Sequence, residues 1–258
     1  MRLRGAAALT LVSLALGACV TEMPNDPRLP SKPDYDKAAL INTQLGLTYA
    51  AQGHLEVAEA KLKKAIDQDD GLAQAHAGLG YVYWQRNNID GARGEFRRAI
   101  ELNGDDPETR NNYGAFLCSQ KEYAEGDRNF MLAVKNPDYS TPAKAWTNAG
   151  ECARQAGDAD RAEQDFRKAL QIDPNFPPAL AQMAASSYQQ QNYLGARAFL
   201  ERYFKVGPQT PATLLLGYQT EHALGNDDAA NQYSVKLVRS YPESDEAAQL
   251  LKLRASAP

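Results

Sequence analysis

The sequence predicts an all-α fold, a right-handed superhelical solenoid of about six helix pairs that ends in a short C-terminal capping helix. Three observations lead to this prediction. Glycines recur every 34 residues, at Gly46, Gly80 and Gly114. Small and large apolar residues follow these glycines at fixed distances. The 258 residues are 43% hydrophobic and 23% charged, which is ordinary for a folded soluble domain.

Residues 1–18 form a segment of a different kind from the rest of the chain. An apolar run from residue 6 to residue 16 follows two arginines. Since a transmembrane helix needs about 20 apolar residues, we expect a secretory signal peptide instead. The letters "LGAC" at residues 16–19 resemble a bacterial lipobox, which implies cleavage before Cys19 and lipidation of that cysteine. The alternative is a plain signal peptide with a cysteine near its end.

Lipidation of Cys19 would determine where the protein resides. Two or more acyl chains anchor a protein stably to a membrane. Bacterial lipoproteins with Asp after the lipidated cysteine stay in the inner membrane. Because Val20 stands there, the resemblance implies an outer-membrane lipoprotein facing the periplasm. Residues 19–38 are then expected to be a lipidated, flexible tether, since residues 20–34 contain four prolines and no helical periodicity.

The solenoid is predicted to occupy residues 39–258. Ala58, Leu62 and Ala65 stand twelve, sixteen and nineteen residues after the first repeated glycine, and similar residues follow the next ones. This pattern resembles the tetratricopeptide repeat (TPR), in which small residues at the eighth and twentieth positions let two antiparallel helices touch. Gly126 departs from the pattern because alanine is expected there, and it costs about 1 kcal/mol of helix propensity.

Four units match the repeat well, and two weaker units follow them. The tail "ESDEAAQLLKLRA" can form the helix that covers the last apolar face. The alternative, an unrelated helical bundle, would require many aligned positions to coincide by chance. The predicted repeats are 39–72, 73–106, 107–142, 143–176, 177–209 and 210–242.

The composition argues against several classes of function. A formal charge of -4 and a pI near 5.5 disfavour nucleic-acid binding, which usually accompanies a basic excess. With three histidines and no Cys/His cluster, no metal site and no cofactor are expected. His54 and His76 have no recognisable partner for acid–base chemistry. We therefore do not expect an enzyme.

The first helices of the repeats are expected to line a concave groove through positions two, five, nine and twelve. The groove would begin apolar and aromatic and become polar near its middle. Exposed Tyr and Trp suit protein recognition because they bring a large area at low entropy cost. The alternative is that these aromatic rings only pack against neighbouring helices. The expected groove residues are Leu40, Thr43, Leu47, Gln74, Tyr81, Trp84, Asn111, Asn112, Asn148, Glu151 and Arg154.

Asn112 and Asn148 share the sixth position of consecutive repeats. Their amides could hydrogen-bond the backbone of an extended peptide, or each could bond a neighbouring carbonyl.

Cys118 and Cys152 lie on the first helices of repeats three and four. They stand at positions twelve and ten of their units, which differ by about 200° around the helix axis and about 3 Å along it. Because adjacent parallel helices touch through roughly opposite faces, the two thiols can face each other. In an oxidising periplasm we expect a disulfide between them. Two free buried thiols are the alternative.

Three segments carry a more specific resemblance: residues 41–66, residues 111–126 ("NNYGAFLCSQKEYAEG") and residues 214–244. Together with the lipobox, the tether and the repeats, they resemble the PilF/PilW family of type IV pilus biogenesis lipoproteins, the pilotins of the pilus secretin. The resemblance covers most of the mature chain. It implies a scaffold that binds secretin subunits and helps them reach the outer membrane and multimerise, without catalysis.

The groove of repeats one to three is the expected binding site for the partner. Contacts with the secretin are expected to centre on Leu47, Tyr81, Trp84 and Asn111. We expect no cofactor and a monomer in the absence of the partner. Other interpretations are a lipoprotein scaffold for another envelope or cell-wall complex, a soluble periplasmic chaperone and, least favoured, an enzyme.

Overall fold

The structure is a computed structural model that describes residues 35–255. Within this range the chain forms thirteen α-helices and no strand. The helices are α1 (Tyr35–Ala51), α2 (Leu55–Gln68), α3 (Ala73–Gln85), α4 (Ile89–Leu102), α5 (Pro107–Ser119), α6 (Tyr123–Lys135), α7 (Pro142–Gln155), α8 (Ala159–Ile172), α9 (Pro177–Gln189), α10 (Tyr193–Val206), α11 (Pro211–Ala223), α12 (Asp227–Ser240) and α13 (Asp245–Ala255).

The helices pack as six successive pairs, α1 with α2 through to α11 with α12. Each odd-numbered helix also packs closely on the next odd-numbered helix. Within residues 35–255 the backbones of the even-numbered helices lie farther apart, and α6 and α8 meet through the ion pair between Arg161 and Asp127 at 2.9 Å. The odd-numbered helices therefore form the inner layer. α13 packs on α11 and α12 through Ala247 and Leu250 and covers the last pair. The predicted superhelical repeat fold with a C-terminal capping helix is confirmed.

The first helix begins earlier than the sequence predicted. α1 starts at Tyr35, so residues 35–38, expected to belong to the tether, are helical. The last proline of the tether, Pro33, lies before this point, and Asp36 in the first turn favours a helix N-terminus. The signal peptide, Cys19 and the rest of the tether lie outside the described residues. None of the helices of residues 35–255 combines the length and apolarity needed to cross a membrane.

The glycine at the eighth position of a repeat allows close contact within a helix pair. A Cβ on Gly80 would lie 3.1 Å from the ring of Phe96, and one on Gly150 would lie 2.5 Å from the ring of Phe166. Both phenylalanines are fully buried. The spacing of sixteen residues therefore places each large side chain directly over the glycine of the preceding helix, as the pattern predicted.

The turn inside each helix pair contains one residue with positive φ. Three of these residues are glycines, and the other three are Asn87, Lys121 and Gln191, with φ between 58° and 66°. The residue after each turn donates its backbone N–H to a carbonyl five positions earlier, for example Glu122 to Leu117 at 2.9 Å. This bond satisfies a carbonyl at the end of the first helix. The same turn geometry therefore recurs with and without glycine.

In the second helix of the sixth pair, the buried positions lie one residue later than in the second helices of the other pairs. In α2 the buried positions are Ala58, Leu62 and Ala65, spaced by four and then three residues. In α12 the same spacing is met by Ala230, Ser234 and Leu237, one residue later than the glycine spacing predicts. Tyr233, sixteen residues after Gly217, still packs over that glycine, 2.9 Å from where its Cβ would lie. The sixth unit thus keeps the contact inside the pair and differs in which neighbouring positions of α12 are buried.

Candidate functional site

A groove of about 640 Å³ crosses the inner face of repeats one to four. Helices α1, α3, α5 and α7 contribute its walls, because the inner layer consists of odd-numbered helices. Positions two, six, nine and twelve of these helices supply most of the lining. The groove therefore lies on the concave face, as the sequence predicted.

The N-terminal part of the groove is apolar. Leu47 and Ala50 from α1 face Tyr81 and Trp84 from α3 across the groove. The two aromatic rings meet edge to face, with centroids 6.3 Å apart, and Trp84 also meets the buried ring of Phe116 edge to face at 6.0 Å. Both Tyr81 and Trp84 are partly buried and keep part of their surface exposed. They pack on their neighbours and also present apolar surface to the groove, which combines the two interpretations of the sequence.

The C-terminal part of the groove is polar. Lys144 on α7 lies 3.2 Å from a carboxylate oxygen of Glu108 on α5, and the Thr141 hydroxyl donates to the other oxygen at 2.9 Å. Asp106 caps α5 by accepting the backbone N–H of Thr109 at 2.8 Å. These contacts hold the three charged groups of the groove in place.

Three asparagines form a chain of hydrogen bonds between α5 and α7. Asn148 donates its Nδ2 to Oδ1 of Asn111 at 2.9 Å, and Asn111 donates its Nδ2 to Oδ1 of Asn112 at 3.2 Å. Asn112 and Asn148 line the groove, whereas Asn111 is fully buried. The amides thus bond each other, which neither interpretation of the sequence had included.

Two residues predicted for the groove lie between the inner helices instead. Asn111 has no exposed surface and Thr43 is 4% exposed, with its hydroxyl donating to the carbonyl of Ala39 at 2.9 Å. Both occupy the fifth position of a repeat, and in repeats one and three this side chain faces the neighbouring inner helix, whereas Ala77 at the fifth position of repeat two lines the cavity. The expectation that Asn111 and Thr43 face a ligand was wrong, and the sixth position takes that place.

The other predicted groove residues divide into two groups. Leu47, Gln74, Tyr81, Trp84, Asn112 and Asn148 line the cavity. Leu40 is 56% exposed but lies outside the cavity. Glu151 and Arg154 also lie outside it and pair with each other, Nη2 to Oε1, at 2.6 Å. Burial opposes ionisation of Glu151, but hydrogen bonds from Arg154 and Gln155 outweigh it and lower its pKa.

Residues that the position rule missed also line the groove. Ala51 and Gln85 stand at the thirteenth position, one residue beyond the expected last contact, and Asp106 precedes α5. Each inner helix therefore exposes a wider stripe to the groove than the four expected positions. The proline that follows Asp106 was the available sequence signal, because Asp before Pro marks a helix N-terminus.

Cys118 on α5 and Cys152 on α7 form a disulfide with their Cα atoms 5.6 Å apart. Both lie in a buried cluster with Phe130 and Ala149. A Cβ on Gly126 would overlap the sulfur of Cys118. The disulfide therefore explains why this repeat has glycine where the pattern calls for alanine.

The structure gives His76 a partner that the sequence did not reveal. Its Nδ1 lies 2.7 Å from Glu95 Oε2, and its Nε2 lies 3.0 Å from the carbonyl of Asp70. The hydrogen bond to Glu95 raises the pKa of the imidazole. The pair is 8% and 26% exposed and does not line the groove, so it links α3 to α4. Within residues 35–255 no three His, Cys, Asp or Glu side chains converge on a metal site.

Comparison with known protein families identifies the repeats. A model described as "Tetratricopeptide repeat" matches residues 43–107. A second model, described as "Cilia and flagella-associated protein 70 middle TPR-like domain", matches residues 137–240. The two matches together extend from the first helix to the sixth helix pair.

Individual proteins resemble the chain over nearly its full length. Type IV pilus assembly protein PilF of Pseudomonas aeruginosa is 31% identical over 239 residues, which cover 93% of this chain and 94% of that protein. The solved structure of Pseudomonas aeruginosa PilF superposes with a TM-score of 0.74 at 30% identity, over 87% of this chain and 100% of the other. PilW, a widely conserved type IV pilus biogenesis factor, gives a TM-score of 0.74 at 31% identity, over 83% and 98%.

Proposed function

Because the chain belongs to the family of type IV pilus biogenesis TPR proteins that includes PilF and PilW, we propose that it is an outer-membrane lipoprotein that binds pilus secretin subunits. Binding in the periplasm promotes delivery of the secretin to the outer membrane and its multimerisation. The protein acts as a scaffold and catalyses no reaction.

The observation that carries this proposal is the concave groove lined by the partly exposed Tyr81 and Trp84, in a chain related to PilF over 93% of its length. Aromatic side chains held by their neighbours lose little entropy on binding, so they suit recognition of a protein. An acylated Cys19 supplies the second part of the mechanism, because two or more chains give stable anchoring. Anchoring then raises the local concentration of bound subunits at the membrane.

Deletion of the gene tests the proposed role. We expect secretin multimers in the outer membrane to decrease strongly and monomers to accumulate elsewhere, as seen by membrane fractionation and gel analysis. A plasmid copy should restore the multimers. Normal multimers at normal levels in the outer membrane of the deletion strain would contradict the proposal. Capture of cell-wall enzymes without secretin in a pull-down would favour a scaffold for another envelope complex.

Two substitutions near the acylation site test the proposed anchor separately. Cys19→Ser should release the protein from membranes, since no acyl chain can be attached. Val20→Asp should leave the protein acylated but hold it in the inner membrane. Attachment of the Cys19→Ser protein to the outer membrane at the normal level would rule out the lipid anchor.

A further inference from the structure

We propose that the N-terminal end of the solenoid docks on an anionic phospholipid surface, through a set of side chains that we call the end face. The end face consists of Ile41 and Leu45 on α1 and of Val57, Lys61 and Lys64 on α2. Docking lays the first repeat on the membrane that holds the acyl chains. The inference deepens the proposed function and rests on it for the acylation of Cys19.

The apolar part of the end face is the side of α1 that the later repeats bury. Ile41 and Leu45 stand at the third and seventh positions of repeat one and are 60% and 38% exposed. In repeats two to five the residues at these positions are at most 4% exposed, namely Ala75, Leu79, Thr109, Tyr113, Ala145, Ala149, Ala179 and Met183. A preceding repeat packs on each of them, and within residues 35–255 repeat one has no such neighbour. Helix α1 therefore presents, uncovered, a side that the repeat pattern normally buries.

Helix α2 extends the end face with one further apolar residue and two lysines. Val57 is 43% exposed, and Lys61 and Lys64 follow it at intervals of four and three residues, which place all three on one stripe of the helix. Ile66 stands nine residues after Val57, about 180° around α2, and packs on the cluster that contains Leu79 of α3. The stripe therefore faces away from the second repeat, toward the free end of the solenoid.

The charge of the end face is positive. Neither Lys61 nor Lys64 pairs with a carboxylate of residues 35–255. The acids of α1 and α2 are Asp36, Glu56, Glu59 and Asp67. Asp36 lies about 180° around α1 from Leu45, and the three acids of α2 lie about 80–160° around that helix from Val57. An apolar surface flanked by lysines, on a chain with a formal charge of -4, fits a lipid surface with anionic headgroups.

The position of the acylation site brings the end face to the membrane. Residues 20–34 separate Cys19 from Tyr35 at the start of α1. A flexible chain of this length spans about 20 Å on average, and Ile41 lies about 9 Å along α1 from Tyr35. Three apolar side chains alone bind lipid weakly, but a short tether to an anchor gives an effective concentration in the millimolar range. Docking therefore needs no additional partner.

A second copy of the chain is a poorer occupant of the end face. An isologous contact presents the same surface from both copies. It would bring Lys61 and Lys64 of both copies to one interface, where like charges oppose association. The charge of the end face and its distance from Cys19 therefore both favour the lipid surface.

The test attaches an environment-sensitive fluorophore to the end face of the mature, acylated protein. The label is placed on Ile41→Cys or, as the matched control, on Leu132→Cys, which replaces an exposed apolar residue of the outer helix α6. Each protein is reconstituted into vesicles of about three parts phosphatidylethanolamine to one part phosphatidylglycerol, with a small fraction of lipids that carry a nitroxide on the acyl chain. We expect the lipid nitroxides to quench the label at residue 41 and to leave the label at residue 132 unquenched.

Two double variants test the contribution of the lysines. Each lysine at an anionic surface strengthens binding about fivefold, so Lys61→Gln/Lys64→Gln should lower the docking equilibrium roughly 30-fold and with it the quenching at residue 41. Lys135→Gln/Lys205→Gln removes the same charge from exposed positions on α6 and α10 and should leave the quenching unchanged.

Equal quenching of the labels at residues 41 and 132, or full quenching in Lys61→Gln/Lys64→Gln, would overturn the inference. It would also be overturned if the label at residue 41 were shielded from water without being quenched, because the tether or a second copy would then cover the end face. The proposed function has a separate measurement, the secretin multimers of the deletion strain. Loss of multimers on deletion together with failed docking would leave that function standing, whereas docking by a protein whose deletion leaves the multimers normal would overturn only that function.

Discussion

Gly126 lacks the side chain that its position carries in most of the repeats, and the sulfur of Cys118 occupies that space. Glycine in a helix interior costs about 1 kcal/mol relative to alanine. Here alanine would be worse, since its Cβ cannot coexist with the disulfide. We expect Gly126→Ala to lower the free energy of unfolding by about 1–3 kcal/mol, measured by denaturant unfolding.

The control for this prediction removes the sulfur atoms. In a Cys118→Ala/Cys152→Ala background the space beside residue 126 opens, so the cost of Gly126→Ala should shrink. Rescue should be partial, because the carbonyl of Gly114 would still lie 2.9 Å from the new Cβ. If Gly126→Ala lowers the unfolding free energy equally with and without the disulfide, the disulfide is not the reason that glycine is required at this position.

His76 gives the unfolding free energy a defined dependence on pH. Its pKa is raised in the folded protein, chiefly by the hydrogen bond to Glu95. A raised folded pKa means that the imidazolium stabilises the fold fully below the unfolded pKa of about 6.5. That stabilisation is lost as the pH rises through the folded pKa. We expect the contribution of His76 to decrease between about pH 6.5 and more alkaline pH.

Two glutamine variants test the pH prediction. His76→Gln should remove the decrease in unfolding free energy on the alkaline side of pH 6.5, as measured by urea titrations at several pH values. The exposed His54, which has no side-chain capping bond, serves as the matched control, and His54→Gln should keep the decrease. If the unfolding free energy of His76→Gln depends on pH in the same way as that of the parent protein, His76 is not the source of this dependence.

Side chains at single positions were predictable where one contact decides them. The glycine at the eighth position and the large residue sixteen later are both fixed by the crossing of one helix pair, so the sequence pattern was sufficient. Asn111 and Thr43 were misplaced because their surroundings depend on the rotation between neighbouring repeats. That rotation is a property of the packed superhelix, and spacing along the chain does not contain it.

At the level of the helices, each turn within a pair requires one residue in the left-handed backbone conformation, whether or not that residue is glycine. Lys121 and Gln191 adopt φ values of 66° and 59°. A side chain in this conformation costs roughly 1–2 kcal/mol, partly offset by the greater unfolded-state entropy of glycine. We expect Lys121→Gly and Gln191→Gly each to raise the unfolding free energy by about 0.5–1 kcal/mol.

The matched control is the reverse substitution at an equivalent turn. Gly157 has φ of 88°, and nothing lies within 4 Å of a Cβ placed on it. Gly157→Ala should therefore lower the unfolding free energy by conformational strain alone, about 1 kcal/mol. The unfolding free energies are measured by thermal and urea unfolding. A higher value for Gly157→Ala, or lower values for both Lys121→Gly and Gln191→Gly, would contradict the role assigned to the positive φ in these turns.

The existence and order of the helices were predictable because six units repeat one pattern. The burial of Ala230 in place of Ala229 in α12 was not predictable, since both residues are small and the spacing accepts either. The early start of α1 was missed for a related reason. Its first turn precedes the repeat pattern and has only local signals such as Asp36.

Over the whole molecule, rigidity is concentrated where the groove becomes polar. The disulfide and the asparagine chain join the same two helices, α5 and α7. The disulfide connects residues 34 positions apart, for which the chain-entropy relation gives about 3–4 kcal/mol of stabilisation. The groove is therefore held open by covalent and polar contacts before a partner arrives, which reduces the entropy cost of binding.

Secretin multimers in a deletion strain that expresses groove variants test the central claim most directly. Tyr81→Ala/Trp84→Ala removes the aromatic wall, whereas Leu132→Ala removes an exposed apolar side chain from the outer helix α6. With the expression and helical content of the variants matched, we expect the groove variant to reduce multimers toward the deletion level, because buried aromatic contacts contribute about 2 kcal/mol or more each. Leu132→Ala should restore the multimers fully. Normal multimer levels with the groove variant would contradict the account.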